Sequence, residues 1–156
     1  MKTFFQIAGI VLLTISVVTC GNRSLAKKDT ASNKESVSIT GKYWKLIEIN
    51  GKPVVLDESM SNGPFIILRD EDRRVNGSGG CNTITGSYEI NEGNRIRFSQ
   101  MATSMKACLN MEVEDALKKA LDMADNYTLS EDGKYLSLNR ARMAPLARFE
   151  AEYLRK

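Results

Sequence analysis

Three cysteines are the residues of this chain whose types and spacing could do chemistry: Cys20, Cys81 and Cys108. A cysteine can be acylated, can pair in a disulfide, or can bind a soft metal ion as a thiolate. If Cys20 is acylated, Cys81 and Cys108 form an even pair, and a structural disulfide is the leading interpretation. It would close a loop of about 28 residues and stabilise the fold by roughly 3 kcal/mol. Two buried, reduced thiols are the alternative.

A second candidate site combines sulfur atoms that lie close together in the sequence. Thioether plus thiolate ligands suit Cu(I), so these residues could handle a soft metal. Methionines at such spacing are more often flexible filler of a hydrophobic core. We therefore expect no cofactor and keep copper handling as the alternative function. The four residues are Met101, Met105, Cys108 and Met111.

The chain contains no histidine. This removes the commonest general base, the usual partner of a serine or cysteine nucleophile, and the commonest zinc ligand. Of the acidic pairs, Asp70 and Asp72 fall in a predicted turn. Glu112 and Glu114 fall at a predicted helix start, and in both places solvated carboxylates are expected. The sequence therefore predicts a protein that is not an enzyme and has no catalytic residue.

The amino terminus is typical of a bacterial lipoprotein signal peptide. A short basic start precedes an almost wholly apolar run over residues 4–18, and Cys20 closes it. This run of about fifteen residues is shorter than the roughly 20 that a spanning helix needs. We predict that residues 1–19 are removed and that Cys20 becomes the acylated first residue, which anchors the protein to the membrane. Gly21, where Asp would indicate inner-membrane retention, points to the outer membrane of the cell envelope.

Behind Cys20 the composition is polar and of mixed charge, which predicts a flexible tether over residues 20–40. The remaining residues, 41–156, are enough for one domain. The formal net charge is only +3, with both signs well mixed. We therefore expect no nucleic-acid partner.

From Gly41 onward, short strand patterns alternate with turn signals such as Asn50-Gly51 and Asp132-Gly133. One segment differs, because its apolar residues recur at the spacing of a helix, from Leu109 to Ala124, with Asn110 as the predicted N-cap. The stripe is narrow and is expected to pack on the sheet. The predicted class is mainly β (α+β): a curled antiparallel sheet or small β-barrel with one amphipathic helix.

A glycine-rich segment precedes Cys81, with Gly77, Gly79 and Gly80 in four positions. It predicts a bulge or a close backbone approach at a strand end. A phosphate-binding loop is the alternative, but the spacing is wrong and the segment leads into a strand rather than a helix.

Several motifs of the chain together form a recognisable pattern: Gly80-Cys81-Asn82, Gly86, the block from Met101 to Cys108, Leu117, Leu121, Trp44-Lys45-Leu46 and Asn50-Gly51-Lys52-Pro53. In these motifs the chain resembles the META-domain family, which includes heat-shock lipoproteins of the HslJ type. The resemblance covers about Gly41 to Tyr153. It implies a small β-barrel-like domain with one helix, usually exported and often lipid-anchored, and it implies no catalytic site.

Together these features predict a lipid-anchored envelope module of the META type. We expect it to be non-enzymatic and to bind a protein or a small-molecule ligand in envelope stress tolerance. Its membrane contact would be made through the lipid on Cys20.

Overall fold

A computed structural model of the protein describes residues 38–56, 60 and 63–152. The predicted signal peptide, the acylation site Cys20 and all but the last residues of the predicted tether lie outside the described residues. Within the part of the chain that is described, no helix is long and apolar enough to cross a membrane.

The described chain forms nine strands and one helix, and every strand pair is antiparallel. The first and ninth strands also pair with each other, so the curled sheet closes into a ring. This confirms the mainly β class with one helix. The elements are β1 (Tyr43–Ile49), β2 (Lys52–Pro53), β3 (Phe65–Leu68), β4 (Arg74–Ser78), β5 (Thr83–Asn91), β6 (Arg95–Thr103), α1 (Glu112–Met123), β7 (Asn126–Leu129), β8 (Tyr135–Asn139) and β9 (Ala147–Glu152).

The predicted hairpin turns form where the sequence placed them. Asn50 and Gly51 both have positive φ, at 50° and 77°, which is the combination that a type I′ turn requires. They connect β1 to β2. Gly133, with φ 69°, lies in the turn between β7 and β8. Because these turns depend on local backbone preferences, the sequence of a few residues is enough to predict them.

The core fills the inside of the ring, because alternate residues of each strand point inward. Trp44 is fully buried, and its indole Nε1–H donates to the carbonyl oxygen of Ile39 at 2.8 Å. A buried indole needs such a partner. Other fully buried side chains come from β3, β5, β8, β9 and α1, including Ile66, Leu68, Ile84, Leu136, Leu138, Phe149, Leu117 and Leu121.

Helix α1 joins β6 to β7 and packs its apolar side on β6, β1 and β8. This packing confirms that the stripe belongs to the core, as Leu117, Ala120 and Leu121 are buried. The predicted start was too early: α1 begins at Glu112, and Leu109 is fully exposed. Asn110 precedes the N-cap position, although its Oδ1 still accepts from the Glu112 N–H at 3.1 Å. A disulfide joins Cys108, just before the helix, to Cys81 in the loop between β4 and β5. The helix therefore begins only after Cys108.

Candidate functional site

The glycine-rich loop between β4 and β5 lies directly against the first turn of α1. Gly79 faces the helix so closely that a Cβ there would overlap the Cγ of Glu114. Gly80 has φ 113°, a conformation that L side chains rarely adopt. The close approach predicted from the glycines is therefore present, and its partner is a helix residue.

Glu114 supplies the acceptor for this loop. Its side chain is buried at 2% exposure. Oε2 accepts from the Asn82 N–H at 2.7 Å and from the Cys81 N–H at 3.3 Å, and Oε1 accepts from Asn82 Nδ2 at 2.8 Å. The prediction that Glu114 is a solvated carboxylate was wrong. Burial is tolerated because each oxygen is hydrogen-bonded. Glu112, in contrast, is exposed as expected.

Asn82, also 2% exposed, links this carboxylate to the loop that follows β6. Its Oδ1 accepts from the Lys106 N–H at 2.7 Å and from Ser104 Oγ at 2.8 Å. Its Nδ2 donates to Glu114 and also to the Lys106 carbonyl oxygen at 3.2 Å. An amide side chain has two donor hydrogens and two acceptor lone pairs, and here all four are used. We call Asn82 and Glu114 the buried polar cluster; Ser104, which is hydrogen-bonded to it, is exposed.

A disulfide between Cys81 and Cys108 joins the same two loops, with an S–S distance of 2.00 Å and a Cα–Cα distance of 6.3 Å. This is the pairing that the sequence analysis favoured. The bond lies next to Asn82 on one side and closes the loop after Lys106 on the other. Two independent restraints, one covalent and one of hydrogen bonds, therefore hold the chain that follows β6.

The segment held in this way, residues 104–110, is here called the braced loop. Its two large apolar side chains point away from the fold: Met105 is 98% exposed and Leu109 is fully exposed. Lys106 and Ala107 between them are also exposed. The braced loop therefore presents two exposed apolar side chains on a chain that Asn82 and the disulfide hold.

The predicted metal ligands are used in other ways. The sulfur of Cys108 is bonded to Cys81, so it offers no thiolate. Met101 packs against the core, and Met105 points into solvent. Among residues 38–56, 60 and 63–152, no group of three or more Cys, Asp or Glu residues could hold a metal ion. The half-buried Met111 occupies the N-cap position of α1.

The other acidic pair, Asp70 and Asp72, is exposed in the turn between β3 and β4. Asp72 forms a 3.4 Å ion pair with Arg69 and accepts from the Arg74 N–H at 3.2 Å. These are ordinary surface contacts of a turn, as the sequence predicted.

A pocket of about 380 Å³ lies elsewhere, between β6 and the end of α1. Arg95, Asp122 and Asp125 are among its lining residues. The Ala141 N–H, followed by the Asn126 side chain, holds the pKa of Asp125 below its ordinary value of 3.8. Because the pocket is open and mostly polar, it lacks the apolar enclosure of a typical small-ligand site.

Sequence reasoning missed the link between Asn82 and Glu114. The two residues lie 32 positions apart, and the residue types around them do not indicate that one side chain is hydrogen-bonded to the other. The cysteine pair was the only signal that these segments meet.

The fold and this site define a class of small domain: a ring-closed antiparallel sheet with one helix and a disulfide-braced loop. The family model of the META domain matches residues 37–153, so the chain belongs to the META domain family. A search of curated proteins found no match.

Three solved structures share the fold. A protein solved by NMR is 21% identical, with a TM-score of 0.56 over 72% of this chain and 90% of that one. A Burkholderia xenovorans protein, also solved by NMR, is 20% identical, with a TM-score of 0.55 over 73% and 83%. A DUF4847 family protein from Bacteroides vulgatus is 15% identical, with a TM-score of 0.50 over 72% and 93%.

Proposed function

We propose that this META domain protein is a lipid-anchored module of the bacterial outer membrane, as Gly21 after Cys20 indicates. It binds a protein partner through the braced loop in envelope stress tolerance. The anchor is the acylated Cys20. The module is not an enzyme: its role is to present a binding surface.

The observation that carries this proposal is the exposure of Met105 and Leu109 on a restrained backbone. An exposed methionine on a mobile segment would lose side-chain and backbone freedom when it binds. Here the chain on both sides of Met105 is already fixed. The Ser104 hydroxyl and the Lys106 carbonyl oxygen are hydrogen-bonded to the Asn82 side chain. Farther along, Cys108 is bonded to Cys81. Most of the ordering cost is met during folding, which favours binding through this loop.

The use of Glu114 supports a non-enzymatic role. Among the described residues it is the one buried carboxylate, and both of its oxygens accept hydrogen bonds from Cys81 and Asn82. A general base needs a free lone pair within reach of a substrate. Glu114 instead holds the glycine-rich loop against the first turn of α1.

The anchor is tested by the intact mass of protein isolated from membranes of the native bacterium. The expected mass lacks residues 1–19 and includes acyl chains. Cys20→Ala should abolish acylation and release the protein from the membrane fraction. An unmodified Cys20 in membrane-bound protein would disprove the anchor.

The binding surface is tested in a deletion strain that is challenged with detergent or heat. The native gene should restore survival, and Met105→Asp should not. Met143→Asp is the matched control, because Met143 is also an exposed methionine, at 68%, on a different loop. Equal survival with the two variants would show that the braced loop is not the functional surface.

A further inference from the structure

We infer that the braced loop binds in the active-site cleft of a serine endopeptidase with an apolar specificity pocket, and that Met105 enters that pocket. This inference rests on the proposed function and names the class of its partner. The protein would then act as an envelope-bound protease inhibitor.

The path of the loop matches what such a cleft accepts. Proteins often bind an extended peptide by adding it to a strand edge through main-chain hydrogen bonds. The braced loop directly continues β6, and the Ser104 N–H donates to the Thr83 carbonyl oxygen at 3.1 Å. No residue from 104 to 110 has a positive φ, and residues 104–108 form neither helix nor turn.

Met105 lies between two residues that Asn82 holds. Lys106 is held by Asn82 at both its N–H and its C=O, and the Ser104 hydroxyl is held by the same side chain. In contrast, no hydrogen bond joins the N–H or C=O of Met105 to any other residue in the described ranges. A serine protease binds the carbonyl oxygen of the residue that it attacks in its oxyanion hole. Met105 is therefore free at the atoms that the protease must contact.

The same restraints explain why binding would end in inhibition. In the first chemical step, the protease serine Oγ would bond to the Met105 carbonyl carbon, and the bond from that carbon to the Lys106 nitrogen would break. The protease histidine would pass the serine proton to the Lys106 nitrogen. The new amine would stay in place, because Asn82 holds Lys106 and the disulfide holds Cys108. It would then attack the acyl-enzyme and restore the peptide bond faster than water reacts.

The side chain of Met105 decides which protease fits. It is unbranched and uncharged, so it suits the hydrophobic slot of chymotrypsin-like enzymes. It does not suit the acidic pocket that gives trypsin its preference for basic residues. Lys106 follows the attacked carbonyl and would lie on the leaving side of the cleft.

The test is a titration of the purified, disulfide-intact mature chain against chymotrypsin, subtilisin and trypsin, with a chromogenic substrate for each. We expect inhibition of chymotrypsin or subtilisin and little of trypsin. Met105→Gly should weaken inhibition by about 100-fold or more, the size of an interface hot spot. Met105→Lys should transfer inhibition to trypsin, and Met143→Gly should change nothing. Circular dichroism of each variant checks that it is folded.

Rapid cleavage between Met105 and Lys106 without inhibition would overturn the inference, and so would inhibition that Met105→Gly leaves unchanged. If none of the three proteases is inhibited but Met105→Asp still fails to restore stress survival, the protease inference is wrong and the proposed binding surface stands. If Met105→Asp also restores survival fully, both proposals fail.

Discussion

Two polar clusters of this domain hold a surface loop in the same way but in different surroundings. In the buried polar cluster, Asn82 holds the backbone of Lys106. Near the end of α1, Asp125 accepts from the Ala141 N–H at 2.8 Å, and Asn126 donates to the Ala141 carbonyl oxygen at 2.9 Å. Each cluster therefore fixes one loop residue at both its N–H and its C=O.

The surroundings determine how much each cluster contributes to the free energy of unfolding. Asn82 and Glu114 are 2% exposed, and a disulfide closes the same loops. Asp125 and Asn126 are only half-buried and Ala141 is exposed, so water can replace a lost partner. A buried donor without a partner costs about 1–3 kcal/mol, whereas an exposed donor costs far less. The comparison teaches that burial, rather than hydrogen-bond geometry, separates the two.

The largest expected effect is that of Glu114→Ala. It leaves two backbone N–H groups and the Asn82 amide without their acceptor in a buried site. We expect a loss of about 4 kcal/mol in the free energy of unfolding, measured in urea. Glu112→Ala, on the exposed side of the same helix turn, is the control and should change little. Similar losses in both variants would remove the distinction between buried and exposed clusters.

Next in size is removal of the disulfide with Cys81→Ala and Cys108→Ala together. The chain-entropy model gives a loss of about 3 kcal/mol for a loop of this length. Urea unfolding of the double variant measures it, and the native protein in reductant is the independent comparison. A loss well below 1 kcal/mol would show that Asn82 and Glu114 alone hold the braced loop.

A smaller, pH-dependent effect is expected for Asp125→Ala. Because the folded pKa of Asp125 lies below its ordinary value of 3.8, its contribution to stability is present above that value and is lost as the pH falls through the folded pKa. The stability difference between native protein and variant should therefore be constant from about pH 5 to 7 and shrink below about pH 4. Urea unfolding at several pH values measures it. A stability difference that grows as the pH falls would contradict the lowered pKa of Asp125.

The smallest effect is expected for Leu109→Ser. Leu109 is fully exposed on the braced loop, so its replacement removes no buried contact. We expect a change within about 0.5 kcal/mol. Leu117→Ser, in the buried stripe of the same predicted segment, is the control and should be strongly destabilising. A large loss for Leu109→Ser would mean that the side chain packs against the fold.

Much of the fold could be predicted because its signals are local. Short strand patterns predicted a mainly β fold, and the Asn50-Gly51 pair marked the turn between β1 and β2. The helix was predicted, but its start was not, since Leu109 continues the apolar spacing and the disulfide overrides it. The site was predicted only at its cysteines. Nothing near Glu114 distinguishes it in sequence from Glu112, two residues earlier.

The sequence by itself therefore determined the type and order of the elements and the pairing of Cys81 with Cys108 as the leading possibility. The elements follow from side-chain periodicity and turn preferences, which act over a few residues. The cysteine pairing follows from the number of cysteines in the chain. Only the tertiary structure decided that Glu114 turns inward, that Asn82 uses all four of its hydrogen bonds, and that Met105 is left exposed between two fixed residues. Those facts depend on which surfaces the closed sheet brings into contact, and burial exists only after the ring has closed.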